Sequence, residues 1–335
     1  MKAQAMYSYV RTRRNLLRTS IALLAAAATW PALADTWPSR PITLIVPYAA
    51  GGDVDALARW IAPDLSRRLG QPVVIDNVVG AGGVIGTDRA VRAKPDGYTF
   101  LLSVESTIVI ARMVTPATVK YSMKDLLPVT LLASQPLVLV GKPELPARDA
   151  AALYADMKKS PGKYTYASSG IGTSLHLGGE LLKQRGGVSL VHIPYRAGSQ
   201  ILTDLAGNQV DLAVLPLSMV MQQIETGKIR GYGVMSTSPS PALPGVPPLA
   251  KVPAWKGADV SVWQGIFAPL GTDAAIVARV NRELTEILQT PDLQKKFADA
   301  GRTGLGLGPA EFAKFLQLEE VKFAQVVAEG QIKAE

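Results

Sequence analysis

Apolar residues in this chain fall in short blocks, and the change of spacing between blocks predicts a repeated unit of strand, small-residue loop and helix. Residues 42–46 are short, rich in β-branched side chains and bounded by Pro41 and Pro47, the pattern of a buried strand. After Pro47-Tyr48-Ala49-Ala50-Gly51-Gly52-Asp53-Val54-Asp55 the period changes. Leu57, Trp60, Ile61, Leu65 and Leu69 recur at helical spacing, with Arg59, Asp64, Arg67 and Arg68 between them. A strand that crosses small residues into a helix leaves backbone N–H groups unpaired at the positive end of the helix dipole, where an anion is held without a basic side chain. The plainer reading is a turn capped by Asp53 or Asp55; Asp53 is taken as the cap and Asp55 as the acid facing a cleft.

The unit recurs. A second strand over 72–79 precedes Gly80-Ala81-Gly82-Gly83-Val84-Ile85-Gly86; Thr87 or Asp88 then opens a helix that Pro95-Asp96-Gly97 ends. A third strand over 98–104 runs into Glu105-Ser106-Thr107. Strands over 129–132 and 137–140 flank Ser134-Gln135-Pro136. A new helix over 150–158 and strand over 164–167 lead into Ser168-Ser169-Gly170-Ile171-Gly172-Thr173-Ser174, the same device with hydroxyls added, and a helix over 175–182. Strands over 190–193, 211–215 and 229–235 follow, the first two ending at Tyr195 and Pro216, with a short helix over 201–205. Residues 236–253 hold six prolines and read as an extended connector outside the core. A strand over 260–267 and helices over 273–289, 291–300 and 309–328 complete an α/β chain. Its sheet is expected to be mostly parallel, with ligands at the carboxyl ends of the strands.

Composition narrows the chemistry. The chain has 335 residues, 48% hydrophobic and 19% charged, a globular balance long enough for roughly two domains. Cysteine is absent and only His176 and His192 are present, which leaves no thiolate chemistry and no His-rich metal centre. The formal charge of +8 includes five basic residues and no acids within residues 1–34, so no nucleic-acid partner is implied. That stretch has a basic start, an apolar core over 21–28 and Ala32-Leu33-Ala34 before Asp35, the pattern of a signal peptide cleaved after Ala34. Arg13-Arg14 leaves the general secretory and twin-arginine routes both open. No later run reaches about 18 uninterrupted apolar residues, so the mature chain is expected to be soluble and exported to the periplasm.

Three enzymatic readings were weighed against these residues. Gly80, Gly82 and Gly86 approach a dinucleotide fingerprint with Glu105 as the ribose acid, but the last spacing is one residue too long, which makes a nicotinamide enzyme a remote alternative. Ser168, Ser169 or Ser174 with His176 or His192 lacks a nucleophile elbow; His176, in the first turn of its helix, reads most simply as a packed or ligand-facing polar residue, and His192, in a strand, as a structural one. Asp53 and Asp55 have no second oxygen cluster to share a metal. No catalytic residue, cofactor or metal is therefore expected. Several strand-to-helix junctions on one sheet edge point instead to a binding protein for a small anion.

The segments Trp37-Pro38-Ser39-Arg40-Pro41-Ile42, Ile45-Val46-Pro47-Tyr48, Leu69-Gly70-Gln71-Pro72-Val73-Val74, Gly80-Ala81-Gly82-Gly83, Pro95-Asp96-Gly97-Tyr98-Thr99, His192-Ile193-Pro194-Tyr195 and Ser240-Pro241-Ala242-Leu243-Pro244 are specific in their order. Through them the chain resembles the periplasmic substrate-binding proteins of tripartite tricarboxylate transporters, the Bug-type receptors. The resemblance implies a two-domain Venus-flytrap fold, residues 35–134 plus 262–335 forming one domain and 135–261 a contiguous insert. It implies a monomer that closes on a small carboxylated metabolite and presents it transiently to a membrane permease; a ligand-dependent signalling partner is the alternative. Matching positions assign the ligand to Tyr48, Ala50, Gly51, Gly52 and Asp55; Gly82 and Gly83; Ser103, Glu105 and Ser106; Ser169, Gly172, Thr173, Ser174 and His176; and Tyr195 and Pro216. Glu105 departs from the small residue usual there. If it faces the cleft it repels a second carboxylate and favours a monocarboxylate bearing an amine, amide or ring nitrogen.

Overall fold

A single strand of sixteen residues, β4 (Leu126–Gly141), carries the architecture. The computed structural model describes residues 37–195 and 198–333, and the leader and its cleavage site lie outside the described residues. From Arg40 onward the chain forms one compact unit. Its sheet runs in the order β2-β1-β3-β9-β4-β7-β5-β6, with β8 and β10 also paired to β4. On one flank β1 (Ile42–Val46) lies parallel to β2 (Val73–Asn77) and β3 (Thr99–Val104). On the other, β5 (Thr165–Ser168) lies parallel to β6 (Val191–Pro194) and β7 (Leu212–Pro216). The antiparallel pairings belong to the middle: β9 (Ser261–Pro269) between β3 and β4, and β8 (Arg230–Val234), β7 and β10 (Thr303–Leu307) against β4.

The sequence suggests a break in β4 at Ser134-Gln135-Pro136, and the structure carries the strand through. Pro136, opposite Ser261, is the last residue of β4 in register with β9, and Leu137 opposite Pro216 begins the pairing with β7. A residue without an N–H is tolerated where one ladder hands over to another. Pro128 sits beside a register shift in the same ladder. Elements that escape the sequence reading include β10, whose Gly304 and Gly306 hide its pattern, the helical stretch Ser106–Ile110 with Ala111–Val114, and the helix Leu217–Glu225. The helix Val84–Val91 begins earlier than Thr87.

The proline-rich stretch after β8 is also corrected. Leu243, Val246, Leu249, Val252 and Trp255 are buried, and short 3₁₀ turns at Leu249–Lys251 and Pro253–Trp255 aim them inward. The prolines set the backbone without removing the segment from the core. Elsewhere Trp263 meets Phe312 and Phe315 edge-on, with ring centroids 5.7 and 5.8 Å away.

Gly86 is where the first two loops meet. A Cβ there would lie 2.5 Å from the Val78 carbonyl oxygen and 2.9 Å from Pro47 Cα. Because those atoms are backbone, Gly86→Ala is expected to destabilise the chain by about 2 kcal/mol, read from urea unfolding; an unchanged midpoint would show that the helix shifts freely.

Candidate ligand-binding site

The helix Asp53–Leu69 starts from Gly52, and no side chain caps it. Asp53, expected as the cap, instead accepts from Gln264 Nε2 at 2.6 Å and from the Arg302 guanidinium. Arg302 is buried, and a buried guanidinium needs a carboxylate more than the helix start needs a cap. Asp55, expected to face the cleft, is 0% exposed. Its carboxylate is taken up by the protein's own donors: Arg59 Nε at 2.8 Å, Arg59 Nη2 at 3.1 Å, the Gly51 N–H at 2.8 Å and Asn77 Nδ2 at 3.0 Å. The Arg59 bond, chiefly, holds this carboxyl at about 2, against the pull of burial. Asp55 thereby shapes the loop over 48–52 from behind, leaving Ala50 and Gly51 exposed and Gly52 half-buried.

The next loop has a left-handed main chain over four successive residues: φ is 136° at Gly80, 46° at Ala81, 64° at Gly82 and 100° at Gly83. Only glycine adopts most of these conformations without strain, which explains the composition. Gly83 precedes the helix Val84–Val91, again without a side-chain cap. A Cβ on Gly83 would meet Thr107 Cγ2 at 2.7 Å and the Tyr48 phenol at 3.1–3.2 Å. Tyr48, Gly83 and Thr107 are thus brought together. Burial holds the Tyr48 phenol well above its ordinary value, so it stays a neutral donor. Around Gly51 and Gly82 nothing lies within 4 Å of an added Cβ.

In place of a third loop, β3 passes directly into the helical stretch Ser106–Ile110, continued by Ala111–Val114, and at this junction Ser103 Oγ and Thr107 Oγ1 lie 2.5 Å apart. Glu105 is 1% exposed. Its carboxylate accepts from the Trp263 N–H at 3.0 Å and from Ser106 Oγ at 3.2 Å, with the Ser174 hydroxyl also bonding to it. Burial pushes it up to about 7, while the Trp263 and Ser174 bonds pull it down.

The loop over 168–174 is tied internally. Thr173 caps the helix Ser174–Gly186 by accepting from the His176 N–H at 3.3 Å, and donates to the Gly170 carbonyl at 2.8 Å. His176 Nδ1 accepts from the Gly172 N–H at 3.3 Å. Gly172 packs tightly, its virtual Cβ 2.6 Å from Val114. Beneath lie stacked rings, His192 between His176 at 4.1 Å and Tyr166 at 4.8 Å, with Ser168 Oγ 2.7 Å from His192 Nε2. Burial lowers both histidines, His192 to about 4, so they are neutral at pH 7. The Tyr195 N–H bonds to the Ser168 carbonyl at 2.8 Å and its hydroxyl donates to Asp204. Ser169 and Pro216 are half-buried, and Pro216 begins the helix Leu217–Glu225.

Four residues that position these groups escape the sequence reading: Asn77, Trp263, Gln264 and Arg302. The available signal is a polar residue within an apolar strand, as in Trp263-Gln264-Gly265-Ile266. Among the described residues no group of three or more metal-binding side chains occurs, and no helix is long and apolar enough to cross a membrane.

Residues 57–331 match the family described as tripartite tricarboxylate transporter family receptor. The chain belongs to this family. BugT of Bordetella pertussis is 36% identical over 310 residues, 92% of this chain and 93% of BugT. Among solved structures, Rpa4515 of Rhodopseudomonas palustris, with adipate, is 30% identical at a TM-score of 0.78, covering 89% of this chain and 99% of its own. MatC from Rhodopseudomonas palustris, with bound malate, is 28% identical at a TM-score of 0.75, covering 87% and 100%. As a receptor of this Bug type the chain is a periplasmic solute-binding protein, with the α/β fold of a mixed sheet flanked by helices that its structural neighbours share.

The depressed value of Asp55 means that its contribution to stability is complete above its unfolded value of 3.8 and is lost as pH falls through about 2. Asp55→Asn is expected to cost about 2 kcal/mol at pH 7 and to flatten the stability profile between pH 4 and 2, measured by urea unfolding across that range.

Proposed function

We propose that this receptor captures a small carboxylated metabolite between two lobes and delivers it to the integral-membrane permease of a tripartite tricarboxylate-type transporter. The observation that carries the reading is the helix start at Asp53, which no side chain caps and which is entered from the Gly51-Gly52 loop with open space beside Gly51; the neighbouring Gly82 is open in the same way. Unpaired N–H groups at a helix start hold a carboxylate by short directed bonds. Tyr48, with its neutral phenol, stands between the two loops, and the hydroxyl-bearing loop over 168–174 supplies the opposing wall. The adipate and malate bound to Rpa4515 and MatC are carboxylates and support the same class of ligand here.

The lobes are residues 35–134 with 262–335, and residues 135–261. What supports this division is the change of partner along β4, from β9 up to Pro136 to β7 and β8 beyond it. The leader over 1–34 directs export, and the receptor acts as a monomer without cofactor, metal or catalytic step. Glu105, buried behind the Ser106 and Ser174 hydroxyls that bond it, gives the ligand preference through its charge: near an ionised carboxylate, an acid bearing an amine, amide or ring nitrogen binds better than a plain dicarboxylate.

Mass spectrometry of metabolites carried through purification, with a thermal-shift screen of carboxylic acids, tests the reading. A ligand at a hundred times its Kd stabilises the folded state by about 2.7 kcal/mol. A nitrogen-bearing monocarboxylate is expected to raise Tm at pH 8 more than succinate or citrate does. Solution scattering is expected to show compaction on binding. A screen in which only uncharged solutes raise Tm, or turnover of the bound compound, would overturn the assignment.

A further inference from the structure

Most acids near the proposed cleft are neutralised by arginine: Asp55 by Arg59 and Asp53 by Arg302. Glu105 is different. It is buried to 1% exposure, and the bonds it accepts come from uncharged donors: the Trp263 N–H, the Ser106 hydroxyl and the Ser174 hydroxyl. These donors lie on three separate elements. Ser106 follows β3, Trp263 belongs to β9, and Ser174 opens the helix on the other side of the β4 handover. The carboxylate therefore sits where both proposed lobes converge, and among the described residues no cation is bonded to it.

We infer that Glu105 makes ligand selection depend on proton uptake: ionised, it favours an acid carrying a donor nitrogen, and protonated, it admits a diacid to the same site. The inference rests on the carboxylate-receptor reading and goes beyond it. A second ligand carboxylate placed near a buried anion without a cation raises its affinity for a proton, and linkage requires that the proton in turn raise affinity for the diacid. A ligand ammonium acts in the opposite direction.

The groups around Glu105 leave it as the one that titrates in the neutral range. Glu319, on the helix Pro309–Glu329, pushes it upward and is itself paired with Lys322 and bonded by Trp263 Nε1. Tyr48 stays protonated, its phenol held well above the ordinary value by burial. His176, one turn into the Ser174 helix, is lowered by burial, and His192 lies at about 4. Burial places Glu105 itself at about 7.

The test uses chain-matched pairs of probes on the intact receptor: succinate with 4-aminobutanoate, glutarate with 5-aminopentanoate, and adipate with 6-aminohexanoate. Each is titrated calorimetrically at pH 5.5 and pH 8 in buffers of differing ionisation enthalpy. Above neutrality, diacid affinity is expected to fall by up to roughly tenfold per pH unit with uptake of about one proton, while the amino acid gains affinity. At pH 5.5 Glu105 takes up no proton, and the exchange that remains is that of the diacid's own second carboxyl, which Glu105→Gln leaves in place. Glu105→Gln is expected to abolish both the proton uptake above neutrality and the reversal of preference; the wild-type proton count decides the matter without it should the variant fail to fold. Binding with the same preference at both pH values and no proton uptake at pH 8 would overturn this inference alone. Failure of every pair to bind at either pH would overturn the carboxylate reading and this inference together.

Discussion

The register of β4 is the constraint on which the other elements depend. Residues 126–136 are held by β9 and residues 137–141 by β7 and β8, so one continuous backbone fixes both parallel flanks of the sheet. Consecutive residues of β4 are buried on both faces, so a slip of one residue would exchange the side chains packed above the sheet with those packed below it. β9 passes the constraint on. Its Trp263 pairs with Ser134 of β4, bonds Glu105 through its N–H and Glu319 through its indole, and seats its ring against Phe312 and Phe315. The end of β3 and the long helix Pro309–Glu329 are therefore positioned by one side chain and its own main chain.

Charge follows a similar division of labour. Asp53 and Asp55 stand at a helix start, where acids usually serve the helix, yet they serve Arg302, Gln264 and the Gly51 loop. The helix start itself stays uncapped. The Ser174 helix, by contrast, spends Thr173 on its first turn and rests on a stack of neutral rings. The first helix start is left without a side-chain cap, and the second is capped by its own neighbour.

Much of this was legible in the sequence because strand periodicity and loop composition are local. β1 runs over the residues that its branched side chains and flanking prolines indicate, and the glycine- or serine-bearing segments after β1, β2 and β5 follow their strands as expected. What was not legible depends on tertiary partners. Pro136 looks like a break until β7 takes over from β9 beside it. The proline-rich stretch looks solvated until Leu249 and Trp255 are seen packed inside. The roles of Asp53 and Asp55 follow from Arg302, more than two hundred residues away, and from Asn77 on the neighbouring strand. No spacing rule links residues so far apart.

The four-residue left-handed run at Gly80–Gly83 has an evolutionary consequence. Its shape is written mostly in the one achiral residue, and Gly83 in addition faces Tyr48 and Thr107 at distances that leave no room for a methyl group. That loop is nearly closed to sequence drift. If peptide groups grip the ligand as proposed, that grip is indifferent to the side chains next to it, and bordering positions such as Ala50 and Ser169 can change chemistry while the frame stays put. A lineage built this way diversifies its ligands by editing a few bordering residues, without reinventing the part that grips.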